Sequence, residues 1–172
     1  VRIPLVAVVG SGREDAELGE QAFRIGRAIA ESGAGLVCGG KGGAMAAAAR
    51  GAHATLGAGS GRIIGILPGS DRSEANPWLD LALPTGLGHA RNVLVVLAAD
   101  AVIAVGGASG TLSEVAHAWS LGRPIAAWVP GGGWAARIAG QRIDDTRTDT
   151  VTALEELPQL ELWLQQVLRR PD

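Results

Sequence analysis

Five short apolar runs recur along the chain, and each one closes on glycine. Residues 5–9 close at Gly10-Ser11-Gly12, residues 35–38 at Gly39-Gly40-Lys41-Gly42-Gly43, and residues 62–67 at Pro68-Gly69. Residues 101–105 close at Gly106-Gly107 and residues 125–129 at Pro130-Gly131. Runs with no polar alternation predict strands buried on both faces, which implies a parallel sheet covered by helices.

Helical patterns fill the spaces between the runs. Leu18, Ala22, Ile25 and Ile29 fall on one face, with Ser32-Gly33 as a stop. Residues 44–50 predict an alanine-rich helix closed by Gly51, and residues 89–99 predict another. A fourth spans residues 111–121, stopped by Gly122 and followed by Pro124. Thr152 and Glu155 fit a capping box for a last helix, with Pro158 in the first turn of its restart. Leu160, Trp163, Leu164, Val167 and Leu168 give that helix an apolar stripe, which either covers the sheet or meets a second subunit. Residues 70–84 and 131–149 are irregular and predict loops.

Alternation of this kind, without repeats or a linker, predicts one domain over residues 1–172. Its class is α/β, a Rossmann-like doubly wound parallel sheet flanked by helices. Right-handed crossovers place the first strand beside residues 101–105, where the strand order reverses. The loops after these two strands then face each other across one crevice, the usual ligand position in open parallel sheets.

Composition narrows the chemistry. With 47% hydrophobic and 19% charged residues, the chain has the balance of a soluble globular protein. A net charge of −2 gives no broad basic field, and the five tryptophans are not interleaved with basic residues. Nucleic acid is therefore not an expected partner. No run approaches a membrane span, and residues 3–9 read as a strand rather than a signal segment, so cytoplasm is the default location. Cys38 alone excludes an internal disulfide and reads as a buried small residue. His53, His89 and His117 have no metal-ligand spacing, so no metal is expected; His89, two residues before Arg91, is a candidate for lining the crevice.

The glycine turns carry the functional signal. Gly10-Ser11-Gly12 lacks the third glycine or alanine of a dinucleotide fingerprint, and no acidic residue follows the second strand. Lys41 is followed by Gly42 rather than Ser or Thr, which excludes a P-loop. Gly106-Gly107-Ala108-Ser109-Gly110-Thr111 joins a strand to a helix. Its N–H groups, the Ser109 and Thr111 hydroxyls and the positive helix end together predict an anion site. Gly10, Ser11, Gly12, Gly40, Lys41, Gly42 and Gly43 are the candidates to complete it. Thr111-x-x-Glu114 matches a capping box, so Glu114 is either a helix cap or a group acting on ligand beside Arg91.

Gly107-x-x-Gly110-Thr111-x-x-Glu114, with Arg91 upstream and Gly39-Gly40-x-Gly42-Gly43-x-Met45 earlier, resembles the family called lysine decarboxylase-like. That family includes the LONELY GUY phosphoribohydrolases and the molybdenum cofactor carrier proteins. The resemblance covers residues 6–128 and implies a Rossmann-like, usually dimeric protein that binds a nucleoside monophosphate at its glycine loops. It implies Arg91 and Glu114 as the residues that act on an N-glycosidic bond, and a phosphate held by Gly107, Gly110 and Thr111 with the 40–43 turn. The hydrolases usually have proline before the double glycine and lysine after the arginine, where this chain has Val105 and Asn92. The form Thr85-Gly86-Leu87-Gly88-His89-Ala90-Arg91-Asn92 is closer to the carrier branch. The ligand so implied is a nucleotide or a phosphorylated pterin, with molybdenum cofactor as cargo in the carrier case and no required cofactor. Lys41 is the only lysine available for a pyridoxal phosphate Schiff base and sits in a glycine turn, so decarboxylation is not the expected activity.

Overall fold

In the computed structural model, which describes residues 2–169, seven strands form one sheet. They are β1 (Leu5–Gly10), β2 (Gly35–Cys38), β3 (Ile63–Leu67), β4 (Leu81–Pro84), β5 (Ala101–Val105), β6 (Ile125–Trp128) and β7 (Thr152–Leu154). The order is β4-β3-β2-β1-β5-β6-β7, and every neighbouring pair is parallel. The chain builds outward from β1 to one edge, returns, and continues from β5 to the other. The reversal therefore lies between β1 and β5, in the register Val6↔Ala101 through Gly10↔Val105.

Six helices cover the two faces: α1 (Ala16–Glu31), α2 (Gly43–Leu56), α3 (Asn92–Ala98), α4 (Ser109–Ser120), α5 (Gly133–Ile138) and α6 (Leu157–Val167). Successive residues of a strand point to opposite faces, so β1 supplies both cores. Val6 and Val8 pack under α1, α2 and α6, while Ala7 and Val9 pack under α3, α4 and α5. Leu160, Trp163 and Leu164 are buried in the first of these cores. The α6 stripe thus covers its own sheet.

Five expectations change. β4 lies in the stretch expected to be a loop; it is a short edge strand whose Leu81 and Leu83 stay about half exposed, so its apolar signal is weak. The Asp80 carboxylate before it accepts from the N–H groups of Gly59, Arg62 and Ile63, fixing its start against β3. Thr152 belongs to β7 rather than to a helix cap. The cap lies later, where the Gln159 side chain accepts from the Glu155 and Glu156 N–H groups. The 131–149 segment contains α5, and residues 88–91 form a 3-10 turn ahead of α3.

Gly51 does not end α2, which runs five residues further to Leu56. Its role is packing. A Cβ at Gly51 would run into the Phe23 carbonyl of α1, and one at Gly26 would run into the Ala48 carbonyl of α2. The two helices meet backbone to backbone along this seam, lined by Ala22, Ala48 and Ala52. Gly26→Ala should therefore overpack the seam and cost about 1–3 kcal/mol in urea denaturation. Gly19 lies on the same helix with nothing within 4 Å of an added Cβ. Gly19→Ala should instead stabilise by about 0.5–1 kcal/mol, because only the helix-breaking cost of glycine is removed.

Candidate functional site

The loops after β1 and β5 open onto a cleft of about 490 Å³ at the carboxyl edge of the sheet. Gly10, Ser11 and Gly12 line one side, and Gly107, Gly110, Thr111 and Glu114 the other, with Arg91, Asn92 and His89 between them. A hollow of about 570 Å³ between α1, Trp128 and residues 155–158 holds none of the expected residues.

The turn into α4 has the geometry of an anion cradle. Gly106 and Gly107 both have positive φ, 62° and 90°. A Cβ at Gly107 would also overlap the buried Thr111 side chain, so glycine is required twice over. The carbonyls of Gly106 and Gly107 accept from the Ala135 and Trp134 N–H groups at the start of α5, which fixes the turn from behind. No side chain caps α4 at Ala108, and the first backbone bond of the helix is Leu112 N–H to the Ala108 carbonyl at 3.1 Å. The N–H groups of Ser109, Gly110 and Thr111 precede it, without helical acceptors and at the positive end of the dipole. Gly106 is buried beneath the turn and Ser109 is exposed outside the cleft, so these two expected residues shape the cradle without lining it.

Because α4 begins at Ser109, Glu114 lies in its second turn and caps nothing. Its carboxyl is 6% exposed and faces Arg91, with Nη1 at 3.5 Å from Oε1. Burial pushes Glu114 up to about 8 against the opposing attraction of Arg91. Desolvation exceeds the Coulomb gain in a pair this far from water and this loosely spaced. Arg91 is 8% exposed; Nη1 donates to Asn92 Oδ1, Nη2 to the Gly39 carbonyl at 3.3 Å, and Nε has no partner among the described residues. Gly39 makes room for it, since a Cβ there would press on both the guanidinium and Met45 Sδ. Asn92 Nδ2 donates to Ser113 Oγ at 3.0 Å, tying the arginine to α4.

The 40–43 turn is placed differently from the expectation. None of its residues lines the cleft. Lys41 Nζ turns outward to Glu74 Oε2 at 2.6 Å, and the Gly43 N–H donates to Glu14 Oε1 at 3.0 Å. The amino end of α2 is thus satisfied by a carboxylate of the protein itself. Gly40 N–H donates to Cys38 Sγ at 3.4 Å; burial pushes that thiol up to about 11, which suits the inert role expected of it. The sequence reading overlooked Arg13 and Leu18, both in the lining. Adjacency to the Gly10-Ser11-Gly12 turn was the available signal for Arg13. Among the described residues no group of three or more His, Cys, Asp or Glu is placed to hold a metal ion.

The raised Glu114 value has a consequence for stability. A carboxyl protonated more tightly in the folded state than in the unfolded one favours folding below pH 4.5, and this contribution is lost as pH rises to about 8. Glu114→Gln removes the titration. Denaturation across pH 4–9 should show the variant gaining on the native protein over that window; a difference independent of pH would contradict the buried neutral acid.

Comparison with known proteins agrees with this fold. The family LDcluster4, the SLOG cluster4 family, matches residues 3–159. An uncharacterized protein of Archaeoglobus fulgidus is 37% identical over 151 residues, covering 88% of this chain and 94% of its own. The X-ray structure of TM1055 superposes with a TM-score of 0.84 at 28% identity, covering 95% of this chain and 99% of TM1055. The molybdenum cofactor carrier protein of Chlamydomonas reinhardtii superposes with a TM-score of 0.78 at 28% identity, covering 97% and 99% of the two chains. The resemblance drawn from the glycine motifs is confirmed, and so is the single parallel α/β sheet. Matched from its first strand into its last helix, the chain belongs to the SLOG cluster4 family.

Proposed function

We propose that the cleft binds a phosphate-bearing small molecule, and that the protein is a carrier for molybdenum cofactor rather than a hydrolase. The observation that carries this reading is the uncapped start of α4 beside the buried, incompletely partnered Arg91. The free N–H groups at the start of α4 and a guanidinium in the same cleft wall suit a phosphate oxygen set. The likeness to the Chlamydomonas carrier supports molybdenum cofactor as the cargo. The Asn92 side chain also favours carriage, because it links Arg91 to Ser113 where the hydrolases resembled above have a lysine.

A second reading, phosphoribohydrolysis of nucleoside 5′-monophosphates, is favoured by the Arg91–Glu114 pair in the cleft wall. Cleavage of a glycosidic bond develops positive charge on the sugar, which an ionised carboxylate stabilises. Glu114 with its value near 8 is uncharged at pH 7 and gives little of that stabilisation. Any hydrolysis through the carboxylate would therefore rise as pH passes 8.

Anaerobic titration with molybdenum cofactor released from a molybdoenzyme should show stoichiometric binding. Arg91→Gln should weaken it about 10- to 100-fold, the range for a lost hydrogen bond to a charged group. Release of free base from AMP, abolished by Glu114→Gln, would overturn the carrier reading. Failure of the cofactor and AMP alike to bind would overturn the site.

A further inference from the structure

The cleft contains one charge that the phosphate reading leaves unused. Arg13 lines it from the turn after β1 and is exposed at its mouth. Among the described residues its guanidinium has no ion pair and no hydrogen bond. Its acidic neighbours each hold a backbone N–H rather than the guanidinium. Glu14 Oε1 accepts from the Gly43 N–H, and Asp15 Oδ1 accepts from the Leu18 N–H at 2.8 Å as the cap of α1.

The backbone that presents Arg13 is held from both sides. Its N–H donates to Ser11 Oγ at 3.1 Å. The Ser11 N–H donates to the Val105 carbonyl of β5, and the Ser11 carbonyl accepts from the Ala44 N–H of α2 at 2.9 Å. The turn is thus fixed to the strand beside it and the helix behind it. Across the cleft, Glu114 is engaged with Arg91 and is neutral at pH 7, so it does not offset the charge at the mouth. The lining therefore carries two separate positive centres: the start of α4 with Arg91 inside, and Arg13 at the rim.

We propose that Arg13 is a specificity residue, holding a second anionic group of the ligand at the mouth while the phosphate sits on the start of α4. The inference rests on the phosphate reading of the cleft and narrows the ligand class to molecules with two anionic groups. A single-phosphate compound fills only the inner position. Because Arg13 is exposed, its contribution is that of a solvent-screened ion pair, about fivefold in affinity.

Equilibrium dialysis of AMP, ADP and molybdenum cofactor against the native protein, Arg13→Gln and Arg13→Lys tests this. Arg13→Gln should weaken ADP or the cofactor about fivefold and AMP less than about twofold, with Arg13→Lys retaining part of the difference. An equal loss for AMP, or no loss for any ligand, would overturn the role of Arg13 while leaving the inner site standing. Absence of binding by all three to the native protein would overturn the inner site and this inference together. Arg13 packs against nothing in the core, so unchanged thermal unfolding of the variants is expected.

Discussion

An all-parallel sheet cannot join neighbouring strands by hairpins, and this constraint organises the molecule. Each strand must be followed by a return over one face, so every strand ends at the same edge of the sheet. At the reversal between β1 and β5, two adjacent central strands send their chains to opposite faces. The gap so formed is the cleft, and its walls are the first turns after two strands buried to near completion. The position of the site follows from topology before any particular side chain is considered.

Within that gap the decisive balance is between desolvation and attraction at Arg91 and Glu114. A tighter, better hydrogen-bonded pair would hold both charges and leave the arginine nothing to offer a ligand. Here the contact is long, the carboxyl is pushed toward its neutral form, and part of the guanidinium is unpartnered. Such an arginine is costly to bury and becomes better satisfied when an anion arrives. The local destabilisation is the counterpart of the proposed binding function.

Much of this was legible in the sequence because it depends on local pattern. Apolar runs closed by glycine mark buried parallel strands, and Gly106-Gly107 before a helix marks the cradle. What was not legible depends on distance in space. β4 and β7 are short edge strands with few buried positions, so neither has a periodic signal strong enough to read. Gly51 looked like a stop because glycine usually is one, whereas its partner is a carbonyl on another helix. Thr111 and Glu114 have the spacing of a cap, but the turn at Gly106 and Gly107 starts the helix earlier, and both residues are buried. The 40–43 turn has the composition of a phosphate loop, yet Glu14 and Glu74, remote in sequence, already occupy its N–H group and its lysine.

The bonds from α5 to the carbonyls of Gly106 and Gly107 have a further effect. They commit the turn to one orientation before a ligand arrives, so little loop entropy is lost on binding. Beyond α5, the chain is anchored by Trp119 Nε1, which donates to Asp144 Oδ1, and by Arg147 stacked over the same indole. None of these residues lines the cleft, yet they anchor the segment that follows the helix holding the turn. Loosening it would act on the residence time of any bound ligand rather than on contact chemistry: the same groups would be met, held less still.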